Sequence, residues 1–354
     1  MVQTFKDYLL EQVCLHPTMQ PQDVVKMCYQ AAFGAEHLLA DKEAAFTWLS
    51  QEFEEIEVTD VSEKLYEQIH DKVCRMNLRE WKRRNMPLIW LFRMFVESAS
   101  FIDIHAEDNF AQCLKEAEEL VKEGEFSFSF IEWERTSKQG PVHHSEEYRQ
   151  QEHPAYRIVC SRYIRLLPIL EKIAKLPQKK IHTIAIDGRC ASGKTTMAGM
   201  LAKVLDAGVV HMDDFFLPLE LRTKERFATP GGNIHYERVR DEVLPKLKAA
   251  EDFTYQRFDC SRMMLGDFVT VKGGNYYIVE GAYSCHPALG DYMACKVFCD
   301  VEAAEQLERI RRRDGEEMLE RFKKSWIPME EAYFSSLGES GRMNDTECIL
   351  LCTE

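Results

Sequence analysis

The chain has 354 residues, of which 45% are hydrophobic and 11% aromatic, so it is long enough for two globular domains with sizeable cores. Its formal net charge of −14 excludes a general binder of nucleic acids or anionic membranes, because an acidic surface repels both. The first residues lack a signal-peptide pattern and no apolar run reaches membrane-spanning length, so we expect a cytoplasmic protein without nucleic-acid or membrane partners.

Residues 1–174 are predicted to form a mostly α-helical domain, because apolar residues recur there at helical spacing. Pro21 suits the first turn of one helix, and Asp41 is a natural N-cap for another. The predicted helices cover residues 21–33, 42–56, 62–70, 87–97, 107–122 and 145–151. The sequence does not indicate what this domain does.

Four histidines in this half leave a metal or phosphate site open as a hypothesis: His37, His143, His144 and His153. No two of them have the spacing of a ligand pair on a predicted helix. Histidines are more often exposed, or bonded within a core, than they are ligands. Both interpretations are kept.

A helix over residues 166–174 ends in a segment rich in proline and lysine, residues 177–180. Such a composition is typical of a joint between domains. We therefore predict a boundary after residue 174 and a second domain over residues 175–354. The alternation of apolar strands with helical segments in this half predicts an α/β fold, a parallel sheet flanked by helices.

The central motif of the second domain follows its first strand, residues 181–186. Residues 188–195 read GRCASGKT, which has the pattern G-x-x-x-x-G-K-[ST], and a helix is predicted over residues 196–205. Glycines in such a loop let consecutive amide groups turn toward an anion at the helix N-terminus. Lys194 would reach the β- and γ-phosphates of ATP, and the Thr195 hydroxyl would bind Mg²⁺. The residues predicted to bind ATP are Gly188, Ala191, Ser192, Gly193, Lys194, Thr195 and Thr196.

Acidic residues follow two further predicted strands, residues 207–212 and 275–283. Asp213 and Asp214 come after the first, and Glu280 lies near the end of the second. In open α/β sheets, ligands bind at the carboxyl ends of the strands, so these acids are predicted to face the phosphate site. Asp213 is placed to accept a proton from a substrate hydroxyl or to hold Mg²⁺, and Glu280 to hold Mg²⁺ opposite Thr195. A helix cap or a turn is the alternative for Asp213 and Asp214.

A basic run follows the predicted strand 296–301. Arg309 and Arg313 lie in it, on a predicted helix. Arginines on a lid beside a phosphate loop stabilise the charge of a phosphoryl group in transfer, so both are candidate catalytic residues. A solvated helix face is the alternative.

The acceptor of the phosphoryl group has to lie beside Asp213, in line with the γ-phosphate. The loops near that point supply rings that can stack on a ligand and polar tips that can bond its hydroxyls, unless the rings belong to the core. The candidates for substrate binding are Asp214, Phe216, His235, Tyr236, Arg257, Tyr283 and His286.

These motifs together resemble the uridine kinase family of P-loop kinases over about residues 180–352. The resemblance rests on residues 191–195, 212–216 and 279–281, and on the spacing of Arg309 to Arg313 and Asp314. It implies a P-loop kinase fold, ATP and Mg²⁺ as cofactors, and Asp213 as the base. In place of the acceptor segment of that family the chain has residues 229–236, and its lid is shortened to residues 315–317.

Three functions are compatible with the sequence. The first is a kinase that phosphorylates a hydroxyl of a small molecule, most simply a nucleoside such as uridine. The second is a nucleotide-gated ATPase or switch that acts through the N-terminal domain, although the base-reading N-K-x-D motif of GTPases is absent. The third is a bifunctional protein with another enzyme in its N-terminal half. Homo-oligomerisation is left open.

Overall fold

A computed structural model describes residues 4–35, 41–58, 61–101, 103–138, 143–177, 180–339 and 348–353. The chain divides into two compact units, residues 1–164 and 165–354. Each unit is described by itself.

The N-terminal unit is mostly helical. Asp41 caps its third helix by accepting from the N–H groups of Glu43 and Ala44, and Pro21 begins the second helix, as predicted. The helices described in this unit are α1 Phe5–Leu15, α2 Pro21–Phe33, α3 Lys42–Glu55, α4 Leu78–Arg83, α5 Leu88–Ala99, α6 Ala106–Glu123, α7 Phe130–Thr136 and α8 Glu146–Glu152.

The helix predicted over residues 62–70 is wrong. Tyr66–His70 is instead strand β1, which pairs antiparallel with β2, Val73–Asn77; β2 also pairs with β3, Tyr156–Cys160. The segment is short, and the third strand of its sheet, β3, comes from far along the chain. Tertiary pairing therefore decides its conformation over local periodicity.

His144 is part of a buried polar network in this unit. Its Nδ1 lies 2.9 Å from the carboxylate of Asp23, and its Nε2 lies 2.6 Å from the Tyr156 hydroxyl. Asp23 also accepts from the N–H and hydroxyl of Ser145. His144 is thus bonded within the core. His143 is exposed, and His37 lies outside the described residues.

The C-terminal unit is built on a parallel sheet. Its strands are β4 His182–Gly188, β5 Gly208–His211, β8 Tyr276–Glu280, β9 Cys295–Val301 and β10 Cys348–Thr353. Among the described residues they run in the order β10-β9-β4-β8-β5, and every neighbouring pair is parallel. Every residue of β4 is buried, which fits the apolar residues Ile184, Ala185 and Ile186 at its centre.

Helices cover this sheet. Helix α10 packs on β4, β5 and β8, and α9 packs on β9. The described helices are α9 Leu167–Ala174, α10 Lys194–Leu205, α11 Lys224–Ala228, α12 Tyr236–Arg238, α13 Ala303–Asp314, α14 Glu316–Arg321 and α15 Ile327–Glu339, with π-helical segments at Val239–Val243 and Phe322–Trp326. The predicted fold class, a parallel sheet flanked by helices after a mostly helical domain, is confirmed.

Two further elements lie between β5 and β8. Strand β6, Phe253–Asp259, pairs antiparallel with β7, Met264–Val271, in a separate hairpin. Residues 222–233 contain the short helix α11, which Thr223 caps. None of the described helices combines the length and the apolar character that crossing a membrane requires.

Candidate active site

The phosphate loop joins β4 to α10, and its backbone takes conformations that side chains disfavour. Gly188 and Gly193 have φ of 137° and 87°. A Cβ at Gly188 would lie 2.0 Å from the carbonyl oxygen of Cys299 in β9, so only glycine fits there. Ala191 also has a positive φ, 59°, without being glycine. Such strain is typical of functional loops.

Lys194 lies inside the curve of this loop. Only 8% of the residue is exposed, and its Nζ donates to the carbonyl oxygens of Gly188 at 2.8 Å and Arg189 at 2.7 Å. The ammonium group is therefore held where the loop turns. A phosphate in the loop would find this charge already in place.

Thr195 and Glu280 meet across the sheet. The Thr195 hydroxyl lies 3.2 and 3.3 Å from the two carboxylate oxygens of Glu280, the last residue of β8. Nδ1 of His211, the last residue of β5, lies 2.5 Å from the same carboxylate, and this hydrogen bond raises the pKa of His211. The strand ends thus bring a hydroxyl, a carboxylate and an imidazole together, as parallel pairing predicts.

Asp213 follows β5 and points into the same cleft. Within the described part of the chain its carboxylate has no hydrogen bond or ion pair. Asp213 is exposed to solvent, although nearby protein groups displace part of the water around its carboxylate. This desolvation, together with the charges of Glu280 and Asp214, raises the pKa of Asp213 despite the opposing charge of Lys194. A free carboxylate with a raised pKa is suited to accept a proton.

Asp187 holds the start of the phosphate loop in place through hydrogen bonds. It is fully buried at the end of β4 and accepts from the N–H groups of Gly188 at 2.7 Å, Tyr283 at 3.1 Å and Cys285 at 2.9 Å, and from the Tyr333 hydroxyl at 2.8 Å. Burial raises the pKa of this carboxyl group. Four donors offset the cost of burying it and tie three parts of the chain to the loop.

Helix α15 is a second brace for the loop. Glu330 on this helix accepts from the N–H of Cys190 at 2.9 Å, and its neighbour Glu331 forms an ion pair with Arg189. One turn later, Tyr333 bonds to Asp187. Burial raises the pKa of Glu330, against the opposing charge of Lys194.

A cleft of about 450 Å³ opens in front of the loop. Of the predicted site residues, those that line it come from the loop, the strand ends and α13. They are Ala191, Gly193, Lys194, Thr195, Thr196, Asp213, Phe216, Glu280, Tyr283, Arg309 and Arg313. Arg309 donates to the carbonyl oxygen of Ala191 at 3.3 Å, and Arg313 is half-exposed beside the ring of Phe322.

Two predicted loop residues lie behind the lining of the cleft. Ser192 is fully buried, and Gly188 packs against β9. Asp214 also lies off the cleft, where the Tyr255 hydroxyl donates to it at 2.6 Å.

Four predicted acceptor residues are engaged elsewhere. His286 is buried, with its ring stacked on Tyr236 at 4.5 Å between centroids. The Tyr236 hydroxyl accepts from Arg226 at 2.6 Å. His235 donates its N–H to Phe215, and Arg257 forms an exposed ion pair with Asp267 on the β6–β7 hairpin. Of the described residues, these four do not contribute to the lining of the cleft.

Sequence reasoning missed several lining residues: Cys190, Asn233, Gly281, Ala282, Phe322, Trp326 and Glu330. Asn233 lies within residues 229–236, which stand in place of the acceptor segment of the family, so its position was a usable signal. Trp326 and Glu330 belong to no motif. Trp326 ends the π-helical segment Phe322–Trp326 and Glu330 lies on α15, and only the path of these helices brings them to the cleft.

The residues present fit a magnesium ion. Thr195, Glu280 and Asp213 supply one hydroxyl and two carboxylates at the cleft, and Mg²⁺ takes such hard oxygen ligands together with phosphate and water. Among the described residues no group of three or more His, Cys, Asp and Glu side chains could hold a metal ion. A site made wholly of protein ligands is therefore not what this cleft offers.

The chain is similar to uridine-cytidine kinase-like 1 of Mus musculus, with 29% identity over 146 residues. This match covers 38% of the chain and 27% of that protein, so the chain spans about a quarter of the length of this curated relative. It confirms the resemblance to uridine kinases that the motifs predicted. No family model matches the chain.

Two solved structures are also similar. One is a possible uridine kinase from Bacillus stearothermophilus, with a TM-score of 0.40, 18% identity, and coverage of 53% of this chain and 98% of that one. The other is a putative fructose transport system kinase from Silicibacter sp. TM1040, with a TM-score of 0.39, 22% identity, and coverage of 48% and 91%.

Proposed function

We propose that the domain of residues 175–354 is an ATP- and Mg²⁺-dependent kinase that transfers the γ-phosphoryl group to a hydroxyl of a small molecule. The observation that carries the proposal is that two acidic residues at one cleft have different hydrogen-bond partners. Glu280 is bonded to Thr195, whereas the Asp213 carboxylate is free and has a raised pKa. A nucleotide switch does not need a free base at that point. Transfer of a phosphoryl group to an acceptor needs one, because the acceptor hydroxyl must lose its proton.

The loop and Lys194 bind and orient the phosphates of ATP. Bound Mg²⁺ would be held by Thr195 and Glu280, with Asp213 nearby, and would offset the charge of the β- and γ-phosphates. Arg309 and Arg313 reach the cleft from α13, where they are placed to stabilise the phosphoryl group in transfer.

Asp213 takes the proton of the acceptor hydroxyl. The acceptor oxygen forms a bond to the γ-phosphorus while the bond from that phosphorus to the β,γ-bridging oxygen breaks. The products are ADP and a phosphate ester, and the proton passes from Asp213 to water. Desolvation of Asp213 assists this step, because it raises the affinity of the carboxylate for a proton.

For the acceptor we propose a nucleoside, uridine in the simplest case, or a related hydroxyl compound. The similarity to a uridine-cytidine kinase-like protein supports this class. The cleft supports it as well, because the rings of Phe216, Phe322 and Trp326 line it and can stack on a planar group. All twelve cysteines lie within the described residues and none forms a disulfide, which fits the proposal of a cytoplasmic protein.

The test is to incubate the full chain with Mg-ATP and a panel of nucleosides, sugars and vitamins, and to detect phosphorylated products by mass. We expect one class of hydroxyl compound to gain a phosphate. Lys194→Ala, in the same assay, should lower turnover at least about a hundredfold, because the charge that meets the phosphates is lost. ATP hydrolysis without any phosphorylated acceptor would favour the switch, and a Lys194→Ala variant with normal turnover would refute the proposal.

A further inference from the structure

Glu330 is a charged residue of the cleft that the proposed mechanism does not use. It comes from α15, is 7% exposed, and lines the cleft beside the phosphate loop. Its carboxylate accepts from the N–H of Cys190 through Oε2, and the Cys190 thiol also donates a hydrogen bond to it. A buried acid is costly beside a site for anions, so its presence there calls for a role.

The proposed mechanism uses the positive and the negative charges of the cleft differently. Among the described lining residues, the cations are Lys194, Arg309 and Arg313, and in the mechanism all three interact with ATP. Glu280 is bonded to Thr195 on the metal side. Asp213 and Glu330 are then the charged groups left for the acceptor, and both are acids.

Glu330 also lies near the neutral polar groups of the cleft. Its charge acts on Tyr283, whose pKa is raised by burial and by Glu330, and a side-chain hydrogen bond joins Tyr283 to Asn233. All three residues line the cleft. They form a polar patch, the Glu330 patch, made of one carboxylate, one phenol and one amide.

We propose that Glu330 selects the acceptor by charge. Its carboxylate accepts a hydrogen bond from a second hydroxyl or an amino group of the acceptor, away from the hydroxyl that is phosphorylated. It excludes acceptors that carry a phosphate or a carboxylate at that place, because no cation of the cleft remains to pair with them. This inference rests on the proposed kinase function.

The test compares wild type, Glu330→Gln and, as the matched control, Glu320→Gln. Glu320 is exposed on α14 and pairs with Lys323, away from the cleft. Each is assayed on a neutral alcohol and on its phosphorylated derivative with the reacting hydroxyl left free, for instance uridine and uridine 3′-monophosphate. KM, kcat and the dissociation constant of Mg-ATP are measured for each protein.

We expect Glu330→Gln to raise KM for the neutral acceptor roughly tenfold or more with a small change in kcat, as loss of a hydrogen bond to a charged group does. Selectivity for the neutral over the phosphorylated acceptor should fall by a similar factor. Binding of Mg-ATP should not weaken, and Glu320→Gln should match wild type.

The outcomes separate two failures. If Glu330→Gln weakens Mg-ATP binding and leaves selectivity unchanged, Glu330 only holds the loop in place and the inference is wrong. The proposed kinase function is not affected by that result. A wild-type preference for the phosphorylated acceptor overturns it as well. If wild type phosphorylates no member of the neutral or anionic series, the kinase proposal itself fails and takes this inference with it.

Discussion

In the proposed mechanism, Asp213 is the residue on which phosphoryl transfer depends most specifically. If it takes the proton of the acceptor, Asp213→Asn should lower kcat by a factor of about 10² to 10⁴, since an amide cannot act as the base. The dissociation constant of Mg-ATP should change little, which equilibrium titration can measure. If the variant loses affinity for Mg-ATP and keeps its kcat at saturation, Asp213 is a metal ligand and the base lies elsewhere.

Single residues were predictable where a short motif specifies them. Lys194, Thr195 and Glu280 meet at the cleft as the sequence indicated, because parallel strands end at the same edge. Glu330 could not be found in this way, since it reaches the loop from a helix far along the chain. Arg257 was selected for its type alone, and the hairpin that carries it pairs it with Asp267 instead.

At the level of elements, the bond between α15 and β4 can be tested by removing one hydroxyl. Tyr333→Phe deletes the donor 2.8 Å from buried Asp187, so we expect the free energy of unfolding of the C-terminal unit to fall by about 1.5 to 3 kcal/mol, as for other bonds to charged groups. Tyr292→Phe is the control, since its hydroxyl donates to the neutral carbonyl of Ser284 at 2.7 Å and should cost about 1 kcal/mol. Denaturant unfolding measures both, and equal losses would argue against a charged Asp187.

Elements were predictable where their burial leaves a continuous signal. β4, β8 and β9 are buried apolar runs, and their positions match the predicted strands. β1 was mistaken for a helix because five residues with mixed burial carry too short a pattern, and its partner β2 supplies the missing hydrogen bonds. Short strands of this kind are determined by what they pair with.

For the whole molecule, pH should act first through the N-terminal unit. Burial lowers the pKa of His144 to about 4, against a usual value of 6.5, although Asp23 opposes the shift. The unfolded chain binds this proton below about pH 6.5 while the folded unit does not. Stability is therefore complete above that pH and falls by up to about 3 kcal/mol as pH approaches 4.

Thermal unfolding between pH 8 and 4 checks this window. The change of stability with pH should become shallower in His144→Gln, whereas the exposed neighbour His143→Gln should keep the wild-type slope. Equal slopes in all three proteins would mean that His144 takes up its proton at the same pH in the folded and the unfolded chain. The comparison concerns the slope, so a general loss of stability in His144→Gln does not obscure it.

The position of Tyr333 has a consequence for the timing of synthesis. The ribosome translates Gly188 and Lys194 well before Tyr333, whose hydroxyl is the last of the four donors to Asp187. Until then Asp187 lacks one of its four donors, and the edge strand β10, which pairs with β9, has yet to be made. We therefore expect the contacts that hold the loop of residues 188–195 in place to be completed only late in translation.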